Sequence, residues 1–255
     1  MTSFDALLAE GESVATEGWD FTWFAGRATE ARPPWGYSRL LARRLAGTQG
    51  VLDLQTGGGE VLAEALTSAG HTPELLRATE SWPPNLALAS RALAPWGGEV
   101  MEVADAAPPP FPAATFDLVA CRHPTVLHWA EVARVLAPGG RFLSQQVGNG
   151  SVRELTEAMT GPYDIGKGRL PERAVSHAEA AGLQVLDLQV ASSPMTFEDI
   201  AAVVAFLRKV IWIVPGFTVE AYREPLRRLH RRILAEGPFK ATSERFLIEC
   251  AKPAC

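Results

Sequence analysis

Several short apolar runs in this chain end in residues that can bind a ligand. The first run contains Asp53 and is followed by Gln55, Thr56 and three consecutive glycines, Gly57–Gly59. Glycine adopts positive φ without a Cβ penalty and lets the backbone approach a ligand closely. The next run leads into Glu80, where a carboxylate can accept hydrogen bonds from ribose hydroxyls. This spacing predicts a site for a nucleoside-containing cofactor, and by itself it is equally typical of dinucleotide-dependent oxidoreductases.

A second group of polar residues follows the apolar run 116–121. A histidine can remove a proton from an acceptor hydroxyl near neutral pH, so His123 is a candidate general base. Arg122 beside it can bind an anionic or carbonyl-bearing substrate. The alternative interpretation of His123 is structural, as a brace for the loop that follows. After the next run, Gln145 and Gln146 can hydrogen-bond polar groups, and strand alternation turns only one of them toward the site.

The elements that must position these residues alternate between β-like and helix-like runs from about residue 50 onward. Seven strands are expected, at Val51–Leu54, Leu75–Thr79, Glu99–Ala104, Phe116–Cys121, Arg141–Val147, Leu183–Val190 and Arg245–Ala251. Helices are expected at Glu60–Ser68, Glu131–Leu136, Glu172–Ala181, Ile200–Val210 and Tyr222–Leu234. The predicted fold class is α/β, with a doubly wound, mostly parallel seven-stranded sheet and helices on both faces. Ligands bind at the carboxyl ends of such strands, where the polar residues lie.

Four motifs occur in an order that resembles the class I, Rossmann-like S-adenosylmethionine-dependent methyltransferases. Val51–Glu60 resembles the first motif, with Gln55 where the family often has glycine. Val103–Ala106 resembles the position whose acid meets the adenine amino group, and Phe116–Val119 resembles the fourth strand. Glu131–Leu143 resembles the helix, Ala-Pro-Gly-Gly turn and strand that recur in these enzymes. The order separates this family from the oxidoreductases.

The resemblance implies a methyltransferase with S-adenosylmethionine as its cofactor. The cofactor-binding residues that it implies are Asp53, Gln55, Thr56, Gly57, Gly59, Glu80, Ser81, Asp105, Ala106 and Cys121. Two alternatives remain open: Asp53 organises the glycine turn without direct contact, and Asp105 caps the loop after its strand. No metal site is expected, because no metal-ligand spacing of histidines and carboxylates is present.

The chain of 255 residues is expected to form one domain, 1–255. We divide it into an N-terminal helical and aromatic cover (1–48), a cofactor-binding core (49–190), a helical insertion or lid (191–243) and the last strand (244–255). The cover is rich in aromatic residues, namely Trp19, Phe21, Trp23, Phe24, Trp35 and Tyr37. These residues either pack the cover on the sheet or form a lid whose rings stabilise a sulfonium cation, with Arg27 placed to meet a carboxylate.

Composition favours a small-molecule acceptor, with O-, N- and C-nucleophiles equally open. The net charge of −5 provides no positive field to attract nucleic acid. The first alternative is an RNA methyltransferase, suggested only by the basic run within 223–232, and the second is a non-catalytic binding protein of the same fold. Three scattered cysteines, no secretory signal and no apolar run of membrane-spanning length predict a cytoplasmic protein without membrane attachment. The oligomeric state is left open.

Overall fold

The computed structural model describes residues 2–18, 21–162, 164, 166 and 168–254, so Trp19 and Cys255 lie outside the described residues. The helices in this part are α1 (Phe4–Ser13), α2 (Tyr37–Leu45), α3 (Glu60–Ala69), α4 (Pro83–Leu93), α5 (Trp129–Val135), α6 (Arg153–Thr160), α7 (Pro171–Ala180), α8 (Ile200–Lys209) and α9 (Arg223–Glu236). The strands are β1 (Ala28–Glu30), β2 (Gly50–Leu54), β3 (Leu75–Glu80), β4 (Glu99–Glu102), β5 (Phe116–Arg122), β6 (Leu136–Val147), β7 (Gln184–Phe197) and β8 (Phe239–Ala251). None of the helices described here has the length and apolar character needed to cross a membrane.

The chain forms two compact units. The larger comprises Pro34–Gly148, Gly168–Ala191 and Arg245–Cys255, and the smaller comprises Met1–Pro33, Asn149–Lys167 and Ser192–Glu244. The predicted N-terminal cover is thereby divided: its first part joins the smaller unit with most of the insertion, and its last part, including α2, joins the larger. The prediction that 1–255 is one domain stays a prediction.

The larger unit contains a mostly parallel sheet. The full strand order is β1-β7-β8-β6-β5-β2-β3-β4, and β7 and β8 each extend from one unit into the other. Strand β2 pairs in parallel with β3 and β5, β3 with β4, and β5 with β6, whereas β6 and β8 are antiparallel. The predicted α/β class is confirmed in the coarser form of a mixed sheet with helices, but the described residues form eight strands where seven were predicted.

The additional strand is β1, which pairs antiparallel with the last residues of β7 in the smaller unit. Three residues are too short to display a period-two pattern, so this strand carries no sequence signal. The pairing also extends β7 beyond the predicted end at Val190, to Phe197. The predicted insertion therefore begins inside a strand.

Neighbouring residues of the sheet strands in the larger unit belong to two different hydrophobic clusters. Val51 packs in one cluster with α2 and α3, and Leu52 packs in the other with α5 and α7. The same alternation separates Leu118 from Val119 on β5. Successive strand residues point to opposite faces, so helices cover both faces of this sheet. The carboxyl ends of its parallel strands are thereby brought to one edge, where the candidate residues lie.

The segment Pro138–Gly140 was predicted to be a turn before a strand and instead lies inside β6 as an irregularity. Leu136 pairs with Phe116 and Arg141 with Leu118, so six residues of β6 face three of β5. A Cβ on Gly140 would lie 2.8 Å from the Ala137 carbonyl oxygen, which only glycine avoids without a shift. The proline and glycines break regular pairing without ending the strand.

The smaller unit is built around α8, whose residues Ile200–Leu207 are all buried. The Asp199 side chain caps this helix by accepting a hydrogen bond from Ala202 N at 2.8 Å. Helix α1 packs on α8 at Gly11, where a Cβ would lie 2.6 Å from the Ala201 carbonyl oxygen. Arg27, considered above as a carboxylate ligand in a lid, forms ion pairs with Glu10 and Asp199.

Candidate active site

The glycine turn between β2 and α3 is held by Asp53 and by close packing. Thr56 Oγ1 donates a hydrogen bond to Asp53 Oδ2 at 2.6 Å, which ties the start of the turn to the buried strand. Gly57 and Gly59 have φ of 66° and 80°. A Cβ on Gly59 would lie 3.1 Å from Ala89 Cα of α4, so its glycine serves both conformation and packing.

Glu80, at the end of β3, is held by backbone hydrogen bonds. Its Oε2 accepts from Gly57 N at 2.8 Å, and its Oε1 accepts from Ser81 N and Trp82 N at 3.0 Å each. Burial raises the pKa of Glu80, and these three hydrogen bonds act in the opposite direction. Because a carboxylate has roughly four acceptor positions, Glu80 keeps capacity for one further donor.

Gln55 has φ of 54°, a value that favours glycine. Its side chain compensates by linking the motif to the loop after β5: Oε1 accepts from Thr125 N at 2.8 Å and Nε2 donates to the Val126 carbonyl oxygen at 2.5 Å. The Thr125 hydroxyl in turn donates to Asp105 Oδ2. The departure from the family's glycine at this position therefore comes with a contact that glycine cannot make.

A narrow cleft lies beside these residues, and its walls are mainly apolar. It is lined by Leu54, Gln55, Thr79, Val103, Ala104, Asp105, Ala107, Pro109, Val126, Leu127, His128 and Val132. Asp105 supplies the one carboxylate among these lining residues. Such a cleft can hold a flat aromatic base, with the acid as acceptor for an amino group. The loop residue Ala106, also predicted to bind the cofactor, is exposed, whereas both of its chain neighbours line the cleft.

Cys121 and Arg122 close β5 in different surroundings. The Cys121 side chain is completely buried in the core, and burial raises the pKa of its thiol. Arg122 lies near enough to Asp53 to lower that carboxyl's pKa, but the larger effect of burial raises the pKa of Asp53 to about 7. Asp53 is therefore divided between its protonated and ionised forms at neutral pH.

The side chain of His123 is held by a relay of hydrogen bonds in the larger unit. The indole Nε1 of Trp35, which can only donate, gives a hydrogen bond to Gln145 Oε1 at 2.7 Å. This orients the amide so that Gln145 Nε2 lies 2.9 Å from His123 Nε2 and donates to it. The ring nitrogen Nε2 of His123 is thus an acceptor, which places the proton of the neutral ring on Nδ1.

The charge state of His123 follows from its surroundings. Burial, together with the positive charges of Arg122 and Arg245, holds the pKa of His123 well below its usual range. The ring is neutral at physiological pH, and its Nδ1–H is available to donate. Its predicted role as a general base requires Nε2 to be released by Gln145, and that role stays a prediction.

Among the described residues, no three His, Cys, Asp or Glu side chains are grouped as metal ligands would be. Two residues whose contacts are described above were not assigned to the site by sequence reasoning: Thr125 and Trp35. Thr125 lies two positions after His123, so its place at a strand end was a usable signal. Trp35 gave no such signal, because its partner Gln145 is 110 residues away in the chain.

A family model of the methyltransferase domain matches residues 52–144, a range that contains the glycine turn, Glu80, Asp105 and His123. The matched range therefore contains a methyltransferase domain. The family model and the methyltransferase structures of the same fold support a class I enzyme with S-adenosylmethionine as its cofactor, and these three predictions are confirmed. Among curated proteins, none matches this sequence.

Solved structures of methyltransferases share the fold at low sequence identity. One, a proposed methyltransferase from Bacillus halodurans C-125, is 18% identical with a TM-score of 0.56, over 85% of this chain and 98% of the other. An S-adenosylmethionine-dependent methyltransferase from Mesorhizobium loti is 15% identical with a TM-score of 0.52, over 85% and 96%. A proposed sarcosine dimethylglycine methyltransferase from Galdieria sulphuraria is 15% identical with a TM-score of 0.53, over 85% of each chain. At these identities the comparisons support the fold.

The residues of the methyltransferase site fit its cofactor in chemistry. Glu80 keeps an acceptor position beside the glycine turn, which suits a ribose hydroxyl. Asp105 lies among apolar cleft residues, which suits an adenine ring with its amino group. The glycines leave the backbone of the turn open to close approach, since a Cβ there would be strained.

Proposed function

We propose that this methyltransferase transfers the methyl group of S-adenosylmethionine to a small-molecule acceptor. The observation that carries the assignment of the cofactor site is the pairing of two anchored carboxylates, Glu80 and Asp105, with one glycine turn and one apolar cleft. In this arrangement Glu80 binds the ribose, Asp105 the adenine amino group, and Gly57 and Gly59 admit the remainder of the cofactor. Asp53 and Thr56 hold the turn in shape.

A small acceptor is supported by the distribution of charge. The net charge is −5, and three arginines of α9 that suggested RNA binding are paired with carboxylates: Arg223 with Asp5, Arg227 with Glu224 and Arg232 with Glu236. These pairs lower the positive potential that a phosphate backbone would need. The structural neighbour described as a sarcosine dimethylglycine methyltransferase gives an example of this fold with a small acceptor.

The chemical step requires the protein mainly to position the acceptor. The bound sulfonium supplies an electrophilic methyl group, so the protein chiefly has to hold the nucleophile in line with it. We assign that role to the end of β5, where His123 donates from Nδ1 and Arg122 offers a guanidinium to an anionic or carbonyl oxygen. The apolar cleft walls exclude water from the cofactor.

Calorimetric titration with S-adenosylmethionine tests the cofactor site. Glu80→Gln keeps the size of the side chain and removes its charge, and we expect it to weaken binding about tenfold, since hydrogen bonds to charged groups contribute about 1.5–3 kcal/mol. Glu99→Gln on β4 is the matched control, because this carboxylate is largely exposed. Absence of binding by the native protein would refute the proposal.

Two further measurements address the acceptor and His123. Tight binding of bulk tRNA that weakens steeply with salt would replace the small-molecule proposal with an RNA substrate.

Once an acceptor is known, His123→Gln tests the donor role by keeping a hydrogen-bond donor. Retained turnover in that variant together with loss in His123→Ala would favour a donor over a base, and unchanged turnover in both would leave His123 without a role in transfer.

A further inference from the structure

A second cavity, of about 160 Å³, lies in the larger unit next to the cofactor cleft. Leu127 lines both, and Thr125, which lines the second, hydrogen-bonds to Asp105 of the first. The loop 124–127 therefore separates two spaces that a single substrate and cofactor pair can occupy. Of the site residues discussed so far, only those of this loop and Gln146 line the second cavity.

The polar lining of this cavity is basic. Arg169, Arg173 and His177 line it, and none of the described residues of its lining is an Asp or a Glu. Trp129 and Phe246 supply apolar surface. All three basic residues are exposed, so their charges attract an anion through partly hydrated surroundings.

Gln146 provides an independent observation. It also lines the cavity, and its amide Nε2 is buried without a hydrogen-bond partner among the described atoms. A buried donor without an acceptor destabilises the fold, so such a group points to an acceptor supplied by a ligand. The strand alternation expected for this pair is seen here: Gln145 bonds with Trp35 and His123, while Gln146 lines this cavity.

We propose that this cavity binds a carboxylate or phosphate group of the methyl acceptor. The anionic oxygens accept from Gln146 Nε2 and from the guanidinium groups of Arg169 and Arg173, which favour planar, two-pronged contacts with such groups. The assignment of the anion to a methyl acceptor rests on the proposed function. The cavity itself defines the chemistry of the bound group: negatively charged and oxygen-rich.

Binding of simple anions to the full chain tests this proposal. Tryptophan fluorescence is followed during titration with sodium phosphate and, separately, sodium acetate, with ionic strength held constant by sodium chloride. Trp129 reports on the cavity, and Trp129→Phe should remove most of the response. We expect Arg173→Gln and Gln146→Leu each to weaken binding about three- to tenfold, and Arg91→Gln, an exposed arginine on α4, to leave it unchanged.

The two anions distinguish the two sources of the charged group, and a saturable response to either supports the subsite. No saturable response to either, or equal weakening by Arg173→Gln and Arg91→Gln, would overturn it. Calorimetry with S-adenosylmethionine on the same samples separates the two proposals. Cofactor binding without anion binding would refute only the proposed anion subsite. Anion binding without cofactor binding would refute the proposed function and, with it, the assignment of the anion to a methyl acceptor.

Discussion

Two buried carboxyl groups in the larger unit, Asp53 and Glu249, have opposite surroundings. Glu249 is 3% exposed and accepts three hydrogen bonds, two from Arg44 at 2.7 and 2.8 Å and one from Arg141 at 2.8 Å. Asp53 is 6% exposed and its hydrogen bond comes from the neutral hydroxyl of Thr56. Glu249 is thus paired with two full positive charges. Asp53 has only the hydroxyl dipole of Thr56 and the charge of Arg122, which is not hydrogen-bonded to it in any contact described above.

The pKa values follow these surroundings. Burial by itself raises the pKa of Glu249, but the hydrogen bonds and charges of Arg44 and Arg141 outweigh it, and the net pKa is lowered. For Asp53 burial dominates, and the pKa rises to about 7. Glu249 therefore stabilises the fold in its ionised form, whereas the ionisation of Asp53 opposes folding. The difference indicates that Asp53 is held by a hydrogen bond from a neutral hydroxyl, without a directly paired positive charge in the described part of the chain.

The largest expected effect is that of Glu249→Gln. Removing this charge leaves Arg44 and Arg141 without their common partner, and we expect the free energy of unfolding to fall by about 2 kcal/mol. This is less than the roughly 3–5 kcal/mol typical of fully buried pairs, because both guanidiniums are partly exposed. Urea unfolding at pH 7 measures it. Glu157→Gln, in the α6 pair with Arg153, is the control and should change stability by less than about 0.5 kcal/mol. Equal effects would remove the distinction drawn for Glu249.

The pH dependence of stability sharpens the comparison. Because the folded pKa of Asp53 is raised, the native state binds more protons between about pH 4 and pH 7, and this group makes the native protein less stable as the pH rises through that window. Asp53→Asn should therefore gain at least ~1 kcal/mol over the native protein between pH 5 and pH 8. For Glu249 the sign reverses: its contribution is present above the unfolded pKa and is lost as the pH falls through the lowered folded pKa. Parallel pH profiles for the two variants would contradict these assignments.

The smallest expected effect concerns Gln55, which holds the turn beside Asp53 through neutral hydrogen bonds. Gln55→Ala and Gln55→Gly both remove its contacts with Thr125 and Val126, but only alanine keeps a Cβ at φ of 54°. We expect the glycine variant to be more stable than the alanine variant by about 1 kcal/mol in urea unfolding. A more stable alanine variant would show that the backbone at this position relaxes when the side-chain contacts are lost.

Sequence reasoning worked best where a signal was local. The strands 51–54, 75–79 and 116–121 and the helices starting near 60, 172, 200 and 223 all appear in the structure within a few residues of their predicted bounds. Proline and glycine at 138–140 were misread as a turn. The local pattern does not show that β6 pairs with β5 both before this segment, at Leu136, and after it, from Arg141. The short strand β1 depends entirely on its partner β7.

The cofactor class could be predicted from the sequence alone, because the glycine turn, Glu80, Asp105 and the Pro138–Gly140 segment occur in an order that resembles the methyltransferase motifs. The tertiary structure decided which atoms those residues can use. The ring nitrogen that His123 offers depends on Gln145 and Trp35, the charge state of Asp53 depends on burial, and Glu249 is matched by an arginine 205 residues away. Desolvation and long-range hydrogen bonds exist only once distant segments have packed, so no local pattern carries them.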